Sequence, residues 1–454
     1  MQNNNLKFLY LREKYDTFVF EKYEIVEDEE FINLKFYFNI VGLVKFSPVT
    51  KILKKNFIFN EIDDNFKNIA FNLGLVELIS YWKATCSKNV IIKCGNLTEE
   101  QILWFKKLYF YGLGELFFTN GIKTDIESFM NITCEGKFLN VTEKEEPEEG
   151  YIIPIGGGKD SVVTLELLQE YKDKSFAFIV NPREVTLECA KIAGFENDRI
   201  IEVKRILDRK IVTLNSAGFI NGHTPFSSML AFLTYFVASL MNVKFVTLSN
   251  ESSANESNVE GEKINHQYSK SYEFENDFYE YQNKYLKSNV LYFSLLRPLA
   301  EIQIANLFSQ NDKYYRTIKS CNVGSKSNPW KWCCNCPKCL FVYIMMSAFL
   351  SKDKLLEMFG EDLLNKESLK ETFIELCGYG KTKPFECVGT YYEVKFAISK
   401  LIEKTPENEL PILAKFYKDN YELIHDDEIL KGFNENNNLP KYLENMLRKK
   451  IEEC

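Results

Sequence analysis

The stretch Ile153-Pro154-Ile155-Gly156-Gly157-Gly158-Lys159-Asp160-Ser161 constrains this chain more than any other. The apolar residues from Tyr151 to Ile155 read as a short buried strand, and Val162 to Tyr171 as an amphipathic helix. Between them, three consecutive glycines let the backbone turn tightly and direct its N–H groups at one point. The helix that follows aims its positive dipole end into the same space. Strand, glycine turn and helix together make a cradle for an anion. Ser161 and Lys159 add a hydroxyl donor and a cation, and Asp160 adds an acceptor able to fix the loop or hold a metal.

The pattern around this loop sets the fold class. Ser175 to Val180, Arg199 to Val203 and Lys244 to Ser249 read as strands, and Val185 to Ala193 and Met229 to Met241 as helices. Strands alternating with helices at these lengths predict an α/β core with a parallel sheet and crossover helices. Upstream, Phe31 to Val44 alternates apolar and polar residues, a helical pattern runs from Phe66 to Trp82, and Thr98-Glu99-Glu100-Gln101 reads as a helix start. The acidic stretch Glu143 to Glu149 around Pro147 reads as a linker, and the chain beyond Leu340 as mostly helical. At 454 residues the chain exceeds one typical core. The expected organisation is an α+β region over 1–145, the loop-bearing catalytic core over 146–350, and a helical region over 351–454.

Composition removes several function classes. A net charge of -8 argues against a nucleic-acid substrate, because gripping a polyanion calls for a basic face. The N-terminus carries Lys7, Arg12 and Glu13 and no apolar segment of the signal-peptide kind, and the apolar runs Met229 to Met241 and Leu340 to Leu350 are too short to span a bilayer. A cytoplasmic enzyme is expected. Of the 12 cysteines, four fall between Cys333 and Cys339, which favours a metal or reduced thiols over disulfides. Cys333, Cys336 and Cys339 are spaced Cys-x-x-Cys-x-x-Cys, with Cys321 available as a fourth ligand and Cys334 as an alternate. Four thiolates so spaced suit a tetrahedral structural zinc; reduced thiols packed in a core are the other reading. The 37 Phe and 25 Tyr are spread along the chain and read as composition bias.

Two known phosphate loops fail on spacing. A Walker A loop needs Ser or Thr after Gly-Lys and another glycine five positions earlier, whereas Asp160 follows Lys159 and Ile153 stands where that glycine should be. The dinucleotide fingerprint lacks its third glycine. The loop resembles that of the N-type ATP pyrophosphatases, Ser-Gly-Gly-x-Asp-Ser: Gly157, Gly158, Asp160 and Ser161 match, and Gly156 replaces the first Ser, with the loss of one hydroxyl donor. The resemblance covers roughly Ile152 to Pro298. It implies ATP with Mg²⁺, cleavage between the α- and β-phosphates, and an adenylated substrate.

Four polar stretches follow: Asn221 to Phe226, Asn250 to Asn255, Asn265 to Ser271, and Lys383 to Thr390. Three of them fall where the carboxyl edge of the expected sheet would open to a ligand. Together with the loop and Cys336-Pro337-Lys338-Cys339-Leu340, they resemble the MurL family, epimerases of peptidoglycan precursor synthesis. The resemblance implies that the terminal L-Glu of UDP-MurNAc-L-Ala-L-Glu becomes D-Glu, with ATP giving AMP and pyrophosphate. Inversion needs acid/base groups on two faces or one mobile group. One is expected from His223 or His266 and the other from Glu386 or Cys387, while His425 sits among charges and reads as surface. Asn250, Glu251, Asn255 and Lys270 are the expected substrate contacts. The competing reading is a base-modifying enzyme resembling 7-cyano-7-deazaguanine synthase, which carries a similar cysteine knuckle, or a tRNA thiolase.

Overall fold

A computed structural model of the chain describes residues 4–54, 57, 61–258, 264–321, 331–380 and 383–453. Among them lie eleven strands: β1 (Thr17–Glu27), β2 (Phe31–Ile40), β3 (Val44–Phe46), β4 (Val49–Leu53), β5 (Asn89–Ile92), β6 (Asn131–Cys134), β7 (Glu148–Pro154), β8 (Ser175–Val180), β9 (Ile200–Ile206), β10 (Val243–Leu248) and β11 (Leu291–Ser294). The fold is α/β, with parallel and antiparallel strand pairs and many helices. The residues cluster into two units, neither of them one continuous stretch. Unit 1 comprises Met1–Ile152, Ile201–Val246 and Lys263–Tyr292; unit 2 comprises Ile153–Ile200, Thr247–Glu262 and Phe293–Cys454. The boundaries expected at 145 and 350 therefore do not coincide with these units.

In unit 1 the strand order runs β9-β4-β2-β1-β5-β6, with β3 beside β2. The parallel pairing expected from strand–helix alternation occurs between β7 and β10, and also joins β1, β5 and β6. By contrast β1–β2, β2–β4 and β4–β9 are antiparallel. A short connection dictates the first of these. The Asp28 carboxylate accepts the backbone N–H groups of Glu30 and Phe31, which closes a tight turn that can only return the chain antiparallel. The run Phe31 to Val44 is likewise not one strand. Gly42 adopts φ +77°, which reverses the chain after Ile40 and starts β3 at Val44.

The alternation in β2 buries Phe36, Phe38 and Ile40. Helix Asp64–Trp82 packs on β1 and β2, and against helix Phe226–Leu240 as well, so nearly all of its residues are buried. Asp63 caps it, accepting from the Phe66 N–H. Many of the Phe and Tyr residues form this core. Phe20 stacks on Phe71 at 6.0 Å, and Phe38 and Phe46 pack on Tyr81 at 5.5 and 4.7 Å. Among the polar groups buried with them, Tyr281 Oη donates to Asn72 and accepts from Gln101.

In unit 2 the chain leaves β7 at Pro154 and continues the pairing for one residue, where Ile155 N–H donates to the Phe178 carbonyl at 2.8 Å. Helix Lys159–Leu167 packs on helix Glu301–Ser309, which in turn meets helices Pro337–Ser347 and Tyr391–Lys404. The expected helical character beyond Leu340 is present, since among the described residues every regular element from Pro337 onward is a helix. Among the described residues, no helix is long and apolar enough to cross a membrane.

Gly74 is where helix Asp64–Trp82 comes closest to the strands. A Cβ there would lie 2.5 Å from Phe20 and 2.8 Å from Phe36. Alanine would gain about 1 kcal/mol of helix propensity, whereas overpacking a filled core costs typically 1–3 kcal/mol. Gly74→Ala is therefore expected to destabilise the protein by up to about 2 kcal/mol, measured as a lower urea midpoint at unchanged m-value.

Candidate functional site

The glycine turn adopts the cradle geometry. Gly157 has φ +82°, a conformation that β-carbon-bearing residues rarely take. Gly158 is the N-cap of helix Lys159–Leu167 and, being glycine, offers no side chain to cap it. A Cβ on Gly156 would meet nothing within 4 Å, whereas one on Gly158 would lie 2.6 Å from Ser320 Oγ. The turn is thus open at its tip and braced at its base. Two further contacts hold it: the Lys319 N–H donates to Gly157 O at 2.9 Å, and the Arg183 guanidinium donates to Gly156 O at 3.1 Å. An uncapped helix N-terminus behind an open glycine fits a phosphate chain.

The side chains of the loop do something else. Ser161 Oγ donates back to Gly158 O at 3.0 Å. The Lys159 side chain is 1% exposed and its ammonium lies between Asp160 and Glu301, 2.8 Å from Glu301 Oε2. Burial works against that ammonium, but Asp160 and Glu301 outweigh it and hold Lys159 above its ordinary range. Burial likewise pushes the Glu301 carboxyl up to about 7, with Lys159 opposing. Lys159 therefore ties the loop to helix Glu301–Ser309. The Asp160 side chain, facing Lys159, stays 29% exposed.

Two polar stretches of unit 2 converge on the start of that helix. Arg297 Nη1 donates to Glu251 O at 2.7 Å, and the Ser252 N–H and Oγ donate to Leu299 O. A Cβ on Gly389 would lie 3.1 Å from Glu301 Cγ, and the Ile302 N–H donates to Glu393, whose carboxylate also takes the Thr390 N–H and hydroxyl. Asn258 donates to Pro384 O, and Lys383 pairs with Glu256. Asn250 and Glu251 are buried, Asn250 donating to Ser294, which leaves Asn255 as the exposed amide of its stretch. Glu386 and Cys387 are half-buried, and Cys387 O accepts from the Lys338 ammonium. Sequence reasoning missed Arg183, Glu301 and Glu393. Arg183, two residues beyond Asn181 at the carboxyl end of β8, was accessible to the sheet-edge argument. Glu301 carries no local signal.

Cys321, Cys333, Cys336 and Cys339 come together in unit 2, their sulfurs all within 4.8 Å of one another. The separations of 3.9, 3.6 and 3.4 Å lie near the ~3.8 Å between sulfurs on a tetrahedral zinc. The contacts of Cys336 Sγ with the Cys339 sulfur and with the Cys339 N–H, which donates to it, draw Cys336 below the usual thiol range. The set fits a metal that takes thiolates. Cys334, the alternate, points away and donates to Phe359 O.

His223 and His266 both belong to unit 1, and Lys270 does too. Their rings lie 4.4 Å apart, beside Glu115 on the short helix Gly114–Asn120. His266 Nδ1 is 2.5 Å from Glu115 Oε2 and His223 Nδ1 is 3.9 Å from it. Burial, and then the neighbouring His266, lower the pKa of His223 to about 4, so this imidazole is neutral at pH 7. His425 is exposed on Glu403, as expected of a surface residue.

The Lys159–Glu301 pair yields a test of the loop's support. Removing one partner of a buried pair leaves the other charge stranded, so Glu301→Ala is expected to cost about 3–5 kcal/mol in urea unfolding at pH 7. Lys159→Ala should behave alike; a Lys159 variant of full stability but weakened nucleotide affinity would assign the ammonium to the ligand instead. The Glu301 carboxyl is raised in the fold, so its stabilising contribution is complete below about pH 4.5 and is lost as pH rises through about 7. The stability of wild type relative to Glu301→Gln should fall across that window.

Residues 10–295 match the MurL N-terminal domain and residues 317–430 the MurL C-terminal domain. A protein of Micromonospora sp. named UDP-N-acetyl-alpha-D-muramoyl-L-alanyl-L-glutamate epimerase is 32% identical, over 75% of this chain and 76% of its own length. Proteins of the same name from Xanthomonas oryzae pv. oryzae and Salinispora tropica are 29% and 30% identical, over 76% and 75% of this chain and 77% and 75% of theirs. No solved structure matches the chain. With domain matches over both parts of the sequence and such relatives covering three quarters of it, this chain belongs to the MurL family and is an enzyme of the isomerase class.

Proposed function

We propose that this enzyme inverts the terminal L-Glu of UDP-MurNAc-L-Ala-L-Glu to D-Glu, a step in peptidoglycan precursor synthesis, and that it first adenylates the α-carboxylate with ATP. ATP is a second substrate in this reading and leaves as AMP and pyrophosphate. The observation that carries adenylation is the open glycine turn on an uncapped helix N-terminus, found in a MurL-family chain. Supply of ATP and of a nucleotide-linked precursor favours the cytoplasm.

The chemistry explains why an epimerase would need such a loop. A free carboxylate resists loss of its α-proton, because the carbanion would place negative charge beside negative charge. When a carboxylate oxygen attacks the α-phosphorus, pyrophosphate departs with the P–O electron pair and the carboxylate charge is removed. The carbonyl then accepts the electron pair released by the α-proton. Reprotonation from the other face inverts the centre, and water releases the acid and AMP. The first-turn amides and Arg183 supply positive potential where pyrophosphate charge develops, which Mg²⁺ would further neutralise. Asp160 is the loop carboxylate that could hold it. One proton-transfer group comes from the His223 and His266 stretches and the other from Glu386 or Cys387. Asn255 and Lys270 are the substrate contacts best exposed for the role, beside the buried Asn250 and Glu251. Zn²⁺ on Cys321, Cys333, Cys336 and Cys339 would be structural, since four protein ligands leave no open position.

Two measurements test this. Incubation with ATP, Mg²⁺ and UDP-MurNAc-L-Ala-L-Glu in deuterated water should release pyrophosphate and place deuterium at the Glu α-carbon, and Asp160→Ala should abolish both. Pyrophosphate formed only with a deazapurine acid or with tRNA would instead select the base-modifying reading, which the cysteine knuckle alone favours. Elemental analysis should find about one zinc per chain, and Cys336→Ser should lose it together with thermal stability; a metal-free protein that melts like its zinc-loaded form would reduce the cluster to packed thiols.

A further inference from the structure

The imidazole pair in unit 1 is built around a carboxylate that the sequence did not mark. Glu115 follows Gly114 at the start of its helix. His223 is set by close packing: a Cβ on Gly222 would lie 3.0 Å from Leu116, and Gly222 O accepts from the Lys83 ammonium at 2.8 Å. His266 follows Asn265, whose side chain turns the backbone by accepting the Gln267 N–H at 2.7 Å. Three separate stretches of chain thus deliver one carboxylate and two imidazoles to one place. His425 and Glu403 show the same 2.5 Å spacing, but His425 is 65% exposed; the side chains of Glu115 and His266 are 17% and 14% exposed.

Geometry and charge narrow what this cluster does. A Glu carboxylate at 2.5 Å from His266 Nδ1 accepts the Nδ1–H hydrogen bond of the neutral ring, the tautomer whose lone pair is on Nε2 and the arrangement of an oriented general base. With ring centroids 4.4 Å apart, no α-carbon fits between the two imidazoles, because two groups serving opposite faces of one carbon stand roughly 6 Å apart. The pair therefore serves one face. His223 stays neutral through burial and its His266 neighbour, with Lys83 and Lys270 adding to the effect and Glu115 opposing it. A proton on His223 is therefore disfavoured. A divalent cation would have to enter beside Lys83 and Lys270, which repel it, whereas those ammonium groups favour a substrate carboxylate.

We propose that Glu115 is a positioning residue for the epimerisation: it orients His266 as the base that takes the Glu α-proton on one face, with His223 held neutral beside it and the opposite face served by another group. In that step the C–H bond breaks, the proton passes to His266 Nε2, and the electron pair moves to the oxygen of the activated carboxyl group. The inference rests on the epimerase reading and deepens it.

Wild type, Glu115→Gln and Glu115→Asp are compared in deuterated water with ATP, Mg²⁺ and UDP-MurNAc-L-Ala-L-Glu. Two signals are followed over a single turnover, pyrophosphate release and deuterium at the Glu α-carbon. Glu115→Gln should slow deuterium entry about 100-fold or more while pyrophosphate release stays within roughly threefold, and Glu115→Asp should recover part of the deuterium rate. A thermal melt like that of wild type establishes that the variants are folded. Deuterium entry unchanged in Glu115→Gln, or equal loss of both signals, overturns the proposal. So does a bound transition metal that Glu115→Gln and His266→Gln lose but Cys336→Ser keeps. If wild type incorporates deuterium without consuming ATP, adenylation falls, and the Glu115 comparison still decides the role proposed here. If wild type does neither, both readings fall.

Discussion

A lysine in a phosphate-type loop is expected to face the phosphates; here it faces the protein. Lys159 lies buried between Asp160 and Glu301, and this contact fixes where the glycine turn sits on its unit. At 2.8 Å and an effective dielectric of 20, the attraction to Glu301 is about 6 kcal/mol, comparable to the several kcal/mol each ion loses on leaving water. The pair comes close to breaking even as a source of stability. Its value is positional: it locks helix Lys159–Leu167 onto helix Glu301–Ser309 while the glycine tip stays open.

From that lock the remaining polar groups of unit 2 follow. The backbone around Arg297 to Glu301 gathers Glu251, Ser252, Gly389 and Glu393 by hydrogen bonds and close contact. The charge used to position these groups is largely spent inside the protein, and the loop itself offers backbone amides, with Arg183 beside it. That division suits chemistry in which negative charge develops on a departing pyrophosphate, because fixed dipoles need no reorganisation when it does. Unit 1 has different means, two imidazoles on one carboxylate, which suit moving a proton.

Much of this was legible beforehand, and the reasons differ by residue. The strand, turn and helix at Tyr151 to Leu167 could be read because glycine spacing and apolar periodicity are local. The same held for the cysteine knuckle, where three of the four ligands sit within seven residues. The antiparallel pairs in unit 1 were not foreseen, because the turn at Gly42 lies inside the run that reads as one β-rich stretch and the turn at Asp28 lies ahead of it. The division into units was not legible either, since each draws on segments far apart in the chain.

By itself, then, the sequence determined the elements whose causes lie within a few residues: the amide-lined turn, the capped helix start at Thr98, the thiolate spacing and the family to which the chain belongs. Only the tertiary structure decided which way Lys159 points, that Glu301 receives it, and that Glu115 stands beside two histidines 108 and 151 positions further along. The physical reason is that a buried charge takes its partner from whatever the packing brings within about 3–4 Å, and that choice has no expression in local spacing.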